Sequence, residues 1–446
     1  MMNILEEAKN FAIKAHMGQI RKSEPDKPMI MHPLMVGSIL MEYGFDKNVI
    51  AAGFLHDVIE DTHYRKEDLT RLFGSDITSL VVRASEPDKS LSWEERKRHT
   101  INSIKTLDLR HKAVVCADKT SNLEDLMIKF QKESNRDFSC FKREEKAQKW
   151  YYTNVYESLI YNEDSNLPIF KRLKNVIDIV FDKKEDLYLK DTIFKSDEKY
   201  YEELKRLHAR KLELQKLKVL TSLKKPFIIE FSGTPRTGKT STIYNIYDFF
   251  KKGGFNVSIS EEFTTSDYYK TIFKSEHQNM DKIAYNLAIM DEVARRLIKD
   301  ANQNQDIILI DRSINDRQIW NNALYKEGLM SPDKYMEAKQ KYLELSKEYI
   351  DFLVMTYCDP TISLKRDYIG SLALEPRSFL NTKNITRFNN SLDDLHALFC
   401  ESAENYYFLD TTNISAKETT LSIAKAIMPM VRKRYIDSFK EQYYLK

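Results

Sequence analysis

The stretch that most constrains this chain starts at Lys224, where PFIIEFSG, a short apolar run ending in glycine, leads directly into TPRTGKTS. Residues Gly233-Thr234-Pro235-Arg236-Thr237-Gly238-Lys239-Thr240-Ser241 satisfy G-x-x-x-x-G-K-[ST], and a helix is expected to begin near Lys239. A run apolar on both faces reads as a strand buried in a parallel sheet. The glycines let backbone N–H groups turn inward as an anion nest, and the helix N-terminus adds a favourable dipole. Gly233, Arg236, Thr237, Gly238, Lys239, Thr240 and Ser241 are therefore candidate ligands for the phosphates of ATP. In that arrangement Lys239 reaches the β- and γ-phosphates and Thr240 ligates Mg²⁺. The alternative is a chance glycine turn before a helix.

Further runs, FNVSIS at 255–260, DIILID at 306–311 and DFLVMTY at 351–357, alternate with helical stretches. Strands alternating with helices imply a parallel α/β sheet. Residues 1–181 differ in texture. Apolar residues recur at helical spacing in Asn48–Thr62, Ser75–Ala84 and Ala113–Phe130, while Pro25–Pro28 and Glu86–Pro87 punctuate loops. The segment 182–222, with YYEELKRLHARKLELQKLKVL, reads as a charged, solvated helical connector. The expected fold is multidomain: an all-α domain over 1–181, the connector over 182–222, and an α/β domain over 223–446.

At 446 residues the chain is long enough for two or three domains, and 42% hydrophobic with 31% charged residues suits globular ones. A net charge of +3 gives no support for a dedicated nucleic-acid binder, although local basic pockets for phosphorylated small molecules are compatible with it. Cys116, Cys140, Cys358 and Cys400 form no CxxC pair, so reduced buried thiols are expected. The N-terminus reads as an amphipathic helix with no signal-peptide pattern, and no run of about 18 apolar residues suggests a membrane span. A cytoplasmic enzyme is expected, with its oligomeric state open.

The N-terminal domain holds a second constellation. His56, Asp57, Glu60 and Asp61 fall within NVIAAGFLHDVIEDT, read as one helix that places all four on one stripe. Such a polar stripe on an apolar helix needs something to satisfy it, and a divalent cation does so. Imidazoles and carboxylates suit Mn²⁺, Fe²⁺ or Zn²⁺. With His32 and Asp118, His56 and Asp57 would hold one metal, which lowers the pKa of bound water and polarises a phosphoryl group. Glu60 and Asp61 could orient or deprotonate that water. His16, His63, His99 and His111 read as surface or helix-cap histidines.

These residues resemble the HD superfamily, and more closely the hydrolase domain of RelA/SpoT-type alarmone enzymes. The resemblance runs from about Ala12 to Leu126 through HMGQIRK, PMIMHP, FLHDVIEDT, the Phe73-Gly74 pair and CADKTSNLEDL. It implies that His32, His56, Asp57 and Asp118 bind Mn²⁺ and that Glu60 and Asp61 serve hydrolysis. It also places Arg21, Lys22 and Asn122 in a nucleotide pocket. The implied reaction removes the 3′-pyrophosphate from guanosine tetra- or pentaphosphate. In the long enzymes of that family a synthetase domain follows; this chain moves instead into the nucleotide-binding pattern.

Asp311-Arg312-Ser313 ends the strand DIILID, where a carboxylate faces the ligand crevice and could hold Mg²⁺ or act as a base. Glu261 and Glu262 end FNVSIS in an equivalent position, and Glu262 is the second candidate base. The pattern resembles the nucleoside and nucleotide kinase branch of P-loop proteins, whose lid arginine could be Arg366, Arg377 or Arg387. Two readings follow: a hydrolase joined to a kinase for a nucleoside or nucleotide, or a hydrolase regulated by an ATP-binding sensor or ATPase. A scaffold with two decayed sites is disfavoured by intact ligand sets at both ends.

Overall fold

The structure, a computed structural model, describes residues 3–21, 24–84, 91–139, 141, 143–182, 189–371, 380–402 and 405–444. The chain divides into two compact units, Met1–Thr221 with Ile436–Lys446, and Ser222–Tyr435.

The first unit opens with α1 (Ile4–Ala15) and a two-stranded antiparallel hairpin, β1 (Ile20–Arg21) and β2 (Glu24–Pro28). The helices α2 (Met31–Glu42), α3 (Lys47–Leu55), α4 (Val58–Asp61), α5 (Lys66–Ala84), α6 (Trp93–Ile104) and α7 (Leu109–Glu133) follow. Then come α8 (Glu145–Leu159), α9 (Pro168–Phe181) and α10 (Glu198–Leu220). The hairpin corrects the loop expected at Pro25–Pro28. In a two-stranded ribbon both strands are edges, so prolines lacking an N–H are tolerated. Side-chain caps fix several helix starts. Asp46 accepts from the Asn48 and Val49 N–H groups at α3, Asp108 accepts from His111 N–H at α7, and Ser92 and Glu95 form a capping box at α6.

α2 is buried almost all round and packs on α3 and α7. Its approach to α3 is close because glycine lies on both sides. A Cβ on Gly53 would meet Leu40 Cδ1 at 2.6 Å and Gly37 Cα at 3.1 Å, and one on Gly37 would meet Phe54 Cε1 at 2.2 Å. That spacing sets how near the His32 end of α2 comes to His56.

The helix expected over 48–62 is broken. α3 stops at Leu55 and α4 starts at Val58, with Asp57 between them at φ −92° and ψ −6°. The His56 ring accounts for the break. Its Nδ1 sits 2.9 Å from the Gly53 carbonyl, the acceptor a continuous helix would give to the Asp57 N–H. The connector expected over 182–222 also differs. From Glu198 onward it is α10, which buries Tyr201, Leu207, Ala209, Glu213, Leu214, Leu217 and Leu220 and packs on α7 and α2.

The second unit runs β3 (Phe227–Gly233), α11 (Lys239–Lys251), β4 (Val257–Ser260), α12 (Lys274–Glu276), α13 (Lys282–Ala301) and β5 (Ile307–Asp311). It continues with α14 (Ile314–Lys326), α15 (Pro332–Tyr349), β6 (Phe352–Tyr357), α16 (Pro360–Ser371), α17 (Thr382–Ser402), β7 (Tyr406–Asp410) and α18 (Ala416–Tyr443), whose residues from Ile436 onward belong to the first unit. The five strands form one all-parallel sheet in the order β4-β5-β3-β6-β7. Every residue of β3 and β5 is buried, the reason they read as continuous apolar runs. Ile228, Ile308 and Ile310 pack with Met290, Val293 and Leu297 of α13 and Tyr342 of α15, while Leu353 and Met355 pack with Phe388 and Leu392 of α17. Because later strands add on both sides of β3, its C-terminal end opens at a topological switch point, where ligands bind in such sheets.

Among the described residues no helix is long and apolar enough to cross a membrane. Cys116 and Cys358 are buried, but Cys400 is exposed on α17, against the expectation of buried thiols; Cys140 lies outside the described residues.

Gly53→Val is expected to force α2 and α3 apart. The overpacking should destabilise the first unit by about 1–3 kcal/mol in urea titration. It should also lower the protein's bound metal by elemental analysis, because His32 and His56 separate. Unchanged stability and metal content would contradict this packing.

Candidate active sites

Three segments of the first unit converge. His32 comes from the first turn of α2, His56 and Asp57 from the break between α3 and α4, and Asp118 from the middle of α7. One ligand atom each of His32, His56 and Asp118 lies within 4.8 Å of the others. Asp57 joins them through Oδ1, 3.1 Å from His56 Nε2, and Oδ2, 3.7 Å from His32 Nε2. His32 Nε2 is in turn 3.2 Å from Asp118 Oδ1.

The outer nitrogens of both rings are engaged: His32 Nδ1 lies 3.0 Å from Ser121 Oγ, and His56 Nδ1 donates to the Gly53 carbonyl. Each Nε2 is thereby turned to the centre, the arrangement in which imidazoles ligate metals. His56 Nε2 is buried and, although near Asp57, lies off the line of a hydrogen bond and has no partner of that kind. Two imidazoles and two carboxylates with one orphaned ring nitrogen fit a divalent ion of the Mn²⁺, Fe²⁺ or Zn²⁺ type.

The electrostatics agree. Burial opposes the charged form of His56, yet the Asp57 and Asp118 carboxylates outweigh it and lift the ring to about 9. Burial works against the Asp57 carboxylate as well, but His56 brings it down to about 2. Asp118 is held well below the carboxylate range despite burial, mainly by Lys119. The two carboxylates thus demand positive charge between the rings. Lys119 Nζ binds Asp118 Oδ2 at 2.6 Å, and Asn122 Nδ2 donates to Oδ1 at 2.6 Å.

Beside this cluster lies a cleft of about 970 Å³ whose wall includes Arg21, Lys97, Lys119, Asn122, Lys129 and Asp61. Its lining carries these four cations against three carboxylates, Glu24, Asp61 and Asp125, a small positive excess that suits an anionic ligand. Arg21 NH1 is paired with Asp125 Oδ2 at 3.1 Å, and Lys22 lies outside the described residues. Glu60 is half-buried on α4, while Asp61 is exposed at the rim and accepts from Gln19 through its backbone carbonyl. His16, expected at the surface or as a cap, closes α1 but is fully buried, with Nδ1 2.8 Å from Gln19 Oε1. Lys119, Ser121 and Asp125 were not singled out by sequence. Their signal was proximity, since all three stand within CADKTSNLEDL beside Asp118.

In the second unit the glycine-bearing loop follows β3. Gly233 has φ 120°, and a Cβ there would lie 1.9 Å from the Thr356 carbonyl; Gly238 has φ 89° and precedes α11. Lys239 Nζ folds over the loop, donating to Gly233 O at 3.0 Å, Thr234 O at 2.6 Å and Thr237 Oγ1 at 3.3 Å. Thr240 Oγ1 donates to Asp311 Oδ2 at 2.8 Å, so the strand-end acid and the loop threonine meet and offer two oxygens to a divalent ion. Ser241 is exposed on α11.

Glu262 lies near the same crevice, 3.5 Å from Arg312 Nε and 3.8 Å from Arg317 NH2. Burial favours its neutral form, but the Arg312 guanidinium keeps it below its ordinary range. Arg236 at φ 58° is tied by Nε to Asp367 at 2.6 Å, so this candidate phosphate ligand is held by a carboxylate of α16. Two of the candidate lid arginines have partners within the unit. Arg366 donates to Thr411 O at 2.6 Å and reaches Thr412 O, and Arg387 pairs with Glu327 at 2.6 Å. Arg377 lies outside the described residues. Glu230 was missed. This fully buried acid of β3 accepts from the Ser313, Asn315 and Asp316 N–H groups and anchors the start of α14.

The sequence profile described as an HD domain matches residues 8–140. The guanosine-3′,5′-bis(diphosphate) 3′-pyrophosphohydrolase MESH1 of Drosophila melanogaster is 38% identical over 124 residues, 27% of this chain and 69% of that protein. A GTP pyrophosphokinase of Myxococcus xanthus is 38% identical over 133 residues, but the match spans 28% of this chain and only 17% of the relative. A deoxyadenosine kinase from M. mycoides with bound dATP, 15% identical, aligns at a TM-score of 0.33 over 46% of this chain and all of its own.

Burial, reinforced by the Arg312 guanidinium, brings Lys239 down to about 7. A polyphosphate beside it would restore the proton. Binding of a polyphosphate at this loop is therefore expected to take up more proton at pH 8 than at pH 6. Calorimetry in buffers of different ionisation enthalpy reads this directly, and equal uptake at both pH values would contradict it.

Proposed function

The chain belongs to the HD-domain family of metal-dependent phosphohydrolases that includes the MESH1 enzymes, and from that premise we propose a two-site nucleotide enzyme. The first unit removes the 3′-pyrophosphate from guanosine tetra- or pentaphosphate, using Mn²⁺. The second binds ATP with Mg²⁺ and transfers its terminal phosphoryl group to a nucleoside or nucleotide. The observation that carries the first half is the meeting of His32, His56 and Asp118 ligand atoms within 4.8 Å, beside a cleft of about 970 Å³ whose lining has a small excess of cations.

In this reading His32, His56, Asp57 and Asp118 hold the metal. When bound, it supplies Lewis acidity to a phosphoryl oxygen and a lowered pKa to water. Arg21 and Asn122, with Lys22 by resemblance and Lys119 by position, bind and orient the phosphates. Glu60 and Asp61, just past the ligands on α4, accept or steer the proton of the attacking water. In the second unit Gly233, Thr237, Gly238, Lys239 and Ser241 surround the polyphosphate. Thr240 and Asp311 take the Mg²⁺, and Glu262 is the base facing the acceptor hydroxyl. The Thr240–Asp311 hydrogen bond at 2.8 Å supports this half, because both groups already point at one place.

The test is a product assay on the full chain with Mn²⁺ and guanosine tetraphosphate, beside Asp57→Ala and Lys239→Ala. Pyrophosphate release is expected, lost by at least a hundredfold in Asp57→Ala. ATP affinity in that variant should stay unchanged, since its ligand set lies in the other unit. A phosphorylated nucleoside formed by the parent and not by Lys239→Ala supports the kinase half. Altered hydrolysis in Lys239→Ala with no phosphorylated product would make the second unit an ATP sensor. No pyrophosphate from the metal-loaded parent would overturn the alarmone assignment.

A further inference from the structure

Helix α10 lies beyond residues 8–140, the reach of the family profile, yet its side chains reach residues that border the metal cluster and its cleft. Lys216 Nζ is 2.5 Å from Asp125 Oδ1, 3.6 Å from Glu124 Oε2 and 3.5 Å from the Ser121 carbonyl. Ser121 is the residue whose hydroxyl meets His32 Nδ1. The second oxygen of Asp125 takes Arg21 NH1 at 3.1 Å, and Arg21 NH2 lies 3.5 Å from Asn122 Oδ1. Asn122 in turn donates to Asp118. One turn earlier on α10, Glu213, 3% exposed, binds Lys27 at 2.8 Å and Lys132 at 2.7 Å. His32, Arg21, Asp125 and Lys216 line one small cavity of about 40 Å³.

Asp125 is therefore shared between two cations that come from opposite ends of the unit's sequence. The triad Arg21–Asp125–Lys216 holds two cations on one carboxylate, while Glu124, 3.6 Å from Lys216, adds a second acid beside it. Without Lys216 the triad becomes a neutral ion pair, with Arg21 committed wholly to the carboxylate. We propose that Lys216 is a positioning residue of the phosphohydrolase site: by satisfying Asp125 it leaves Arg21 available to a substrate phosphate. This inference rests on the reading that the cleft takes a phosphorylated ligand.

The experiment uses the full, Mn²⁺-loaded chain and inorganic pyrophosphate as the probe, with Kd read by calorimetry. Lys216→Met is expected to weaken pyrophosphate binding about tenfold. Lys216→Met combined with Asp125→Asn frees Arg21 again and should return Kd to within about twofold of the parent. With guanosine tetraphosphate, KM should follow the same pattern while kcat changes less than threefold, a split that general loss of structure would not give. An unchanged Kd in Lys216→Met, or a weakened Kd that the second substitution does not relieve, would overturn the proposal. Should Lys216→Met fail to fold, Asp125→Asn alone decides. Release of Arg21 should tighten pyrophosphate binding severalfold, and weaker or equal binding overturns the role. Absence of pyrophosphate binding to the parent would also overturn it, whereas pyrophosphate binding without turnover of the alarmone counts only against the alarmone as substrate.

Discussion

Two carboxylates, buried Asp118 and half-buried Asp57, held between two imidazoles make the condition that the first unit is arranged to meet. Asp57 and Asp118 are costly to bury without positive charge nearby. Lys119 supplies part of it at Asp118, where Asn122 adds a neutral hydrogen bond, and the two histidines face both acids. The outward nitrogens of those histidines are fixed by Ser121 and Gly53, so the rings cannot turn away to find other partners. The glycine contact between α2 and α3 then sets the distance between them. Packing, helix break and charge all serve one spot.

The second unit solves a related problem with backbone in place of imidazole. Its sheet brings the end of β3 beside the end of β5, register-paired from Phe227 and Ile307 to Phe231 and Asp311. That pairing is what lets Thr240, at the start of α11, reach Asp311 across the crevice. Glu230 stabilises the start of α14 from within the same strand, so Arg312 and Asp316 are held close to the loop. The Gly233 N–H lies 3.4 Å from Asp316 Oδ1, tying the loop to α14.

Much of this was legible in the sequence because the relevant residue types are costly to place without a reason. His32, His56, Asp57 and Asp118 stand out in apolar helices, and the glycine-lysine loop stands out after a buried strand. The break at His56–Asp57 was hidden, since helical spacing continues through it and only the ring's bond to Gly53 interrupts the ladder. β7 was missed because its residues are half-buried at a sheet edge and lack the uniform apolar run of β3. α10 looked solvated because its Lys and Glu residues find partners far away in sequence: Glu213 meets Lys27 and Lys132, and Lys216 meets Asp125. Pairings of that kind exist only in three dimensions. Glu230 was overlooked for the converse reason, as one acid inside FIIEFS, although a lone charge in a fully buried strand is itself a signal.

In the proposed site one divalent ion sits among His32, His56, Asp57 and Asp118. The most direct measurement is anomalous diffraction at the manganese edge from crystals of the full chain equilibrated with Mn²⁺. A strong peak is expected within coordination distance of His32 Nε2, His56 Nε2 and an Asp118 oxygen. No peak there in crystals that retain manganese elsewhere, or His56 Nε2 turned away from the ion, would contradict it.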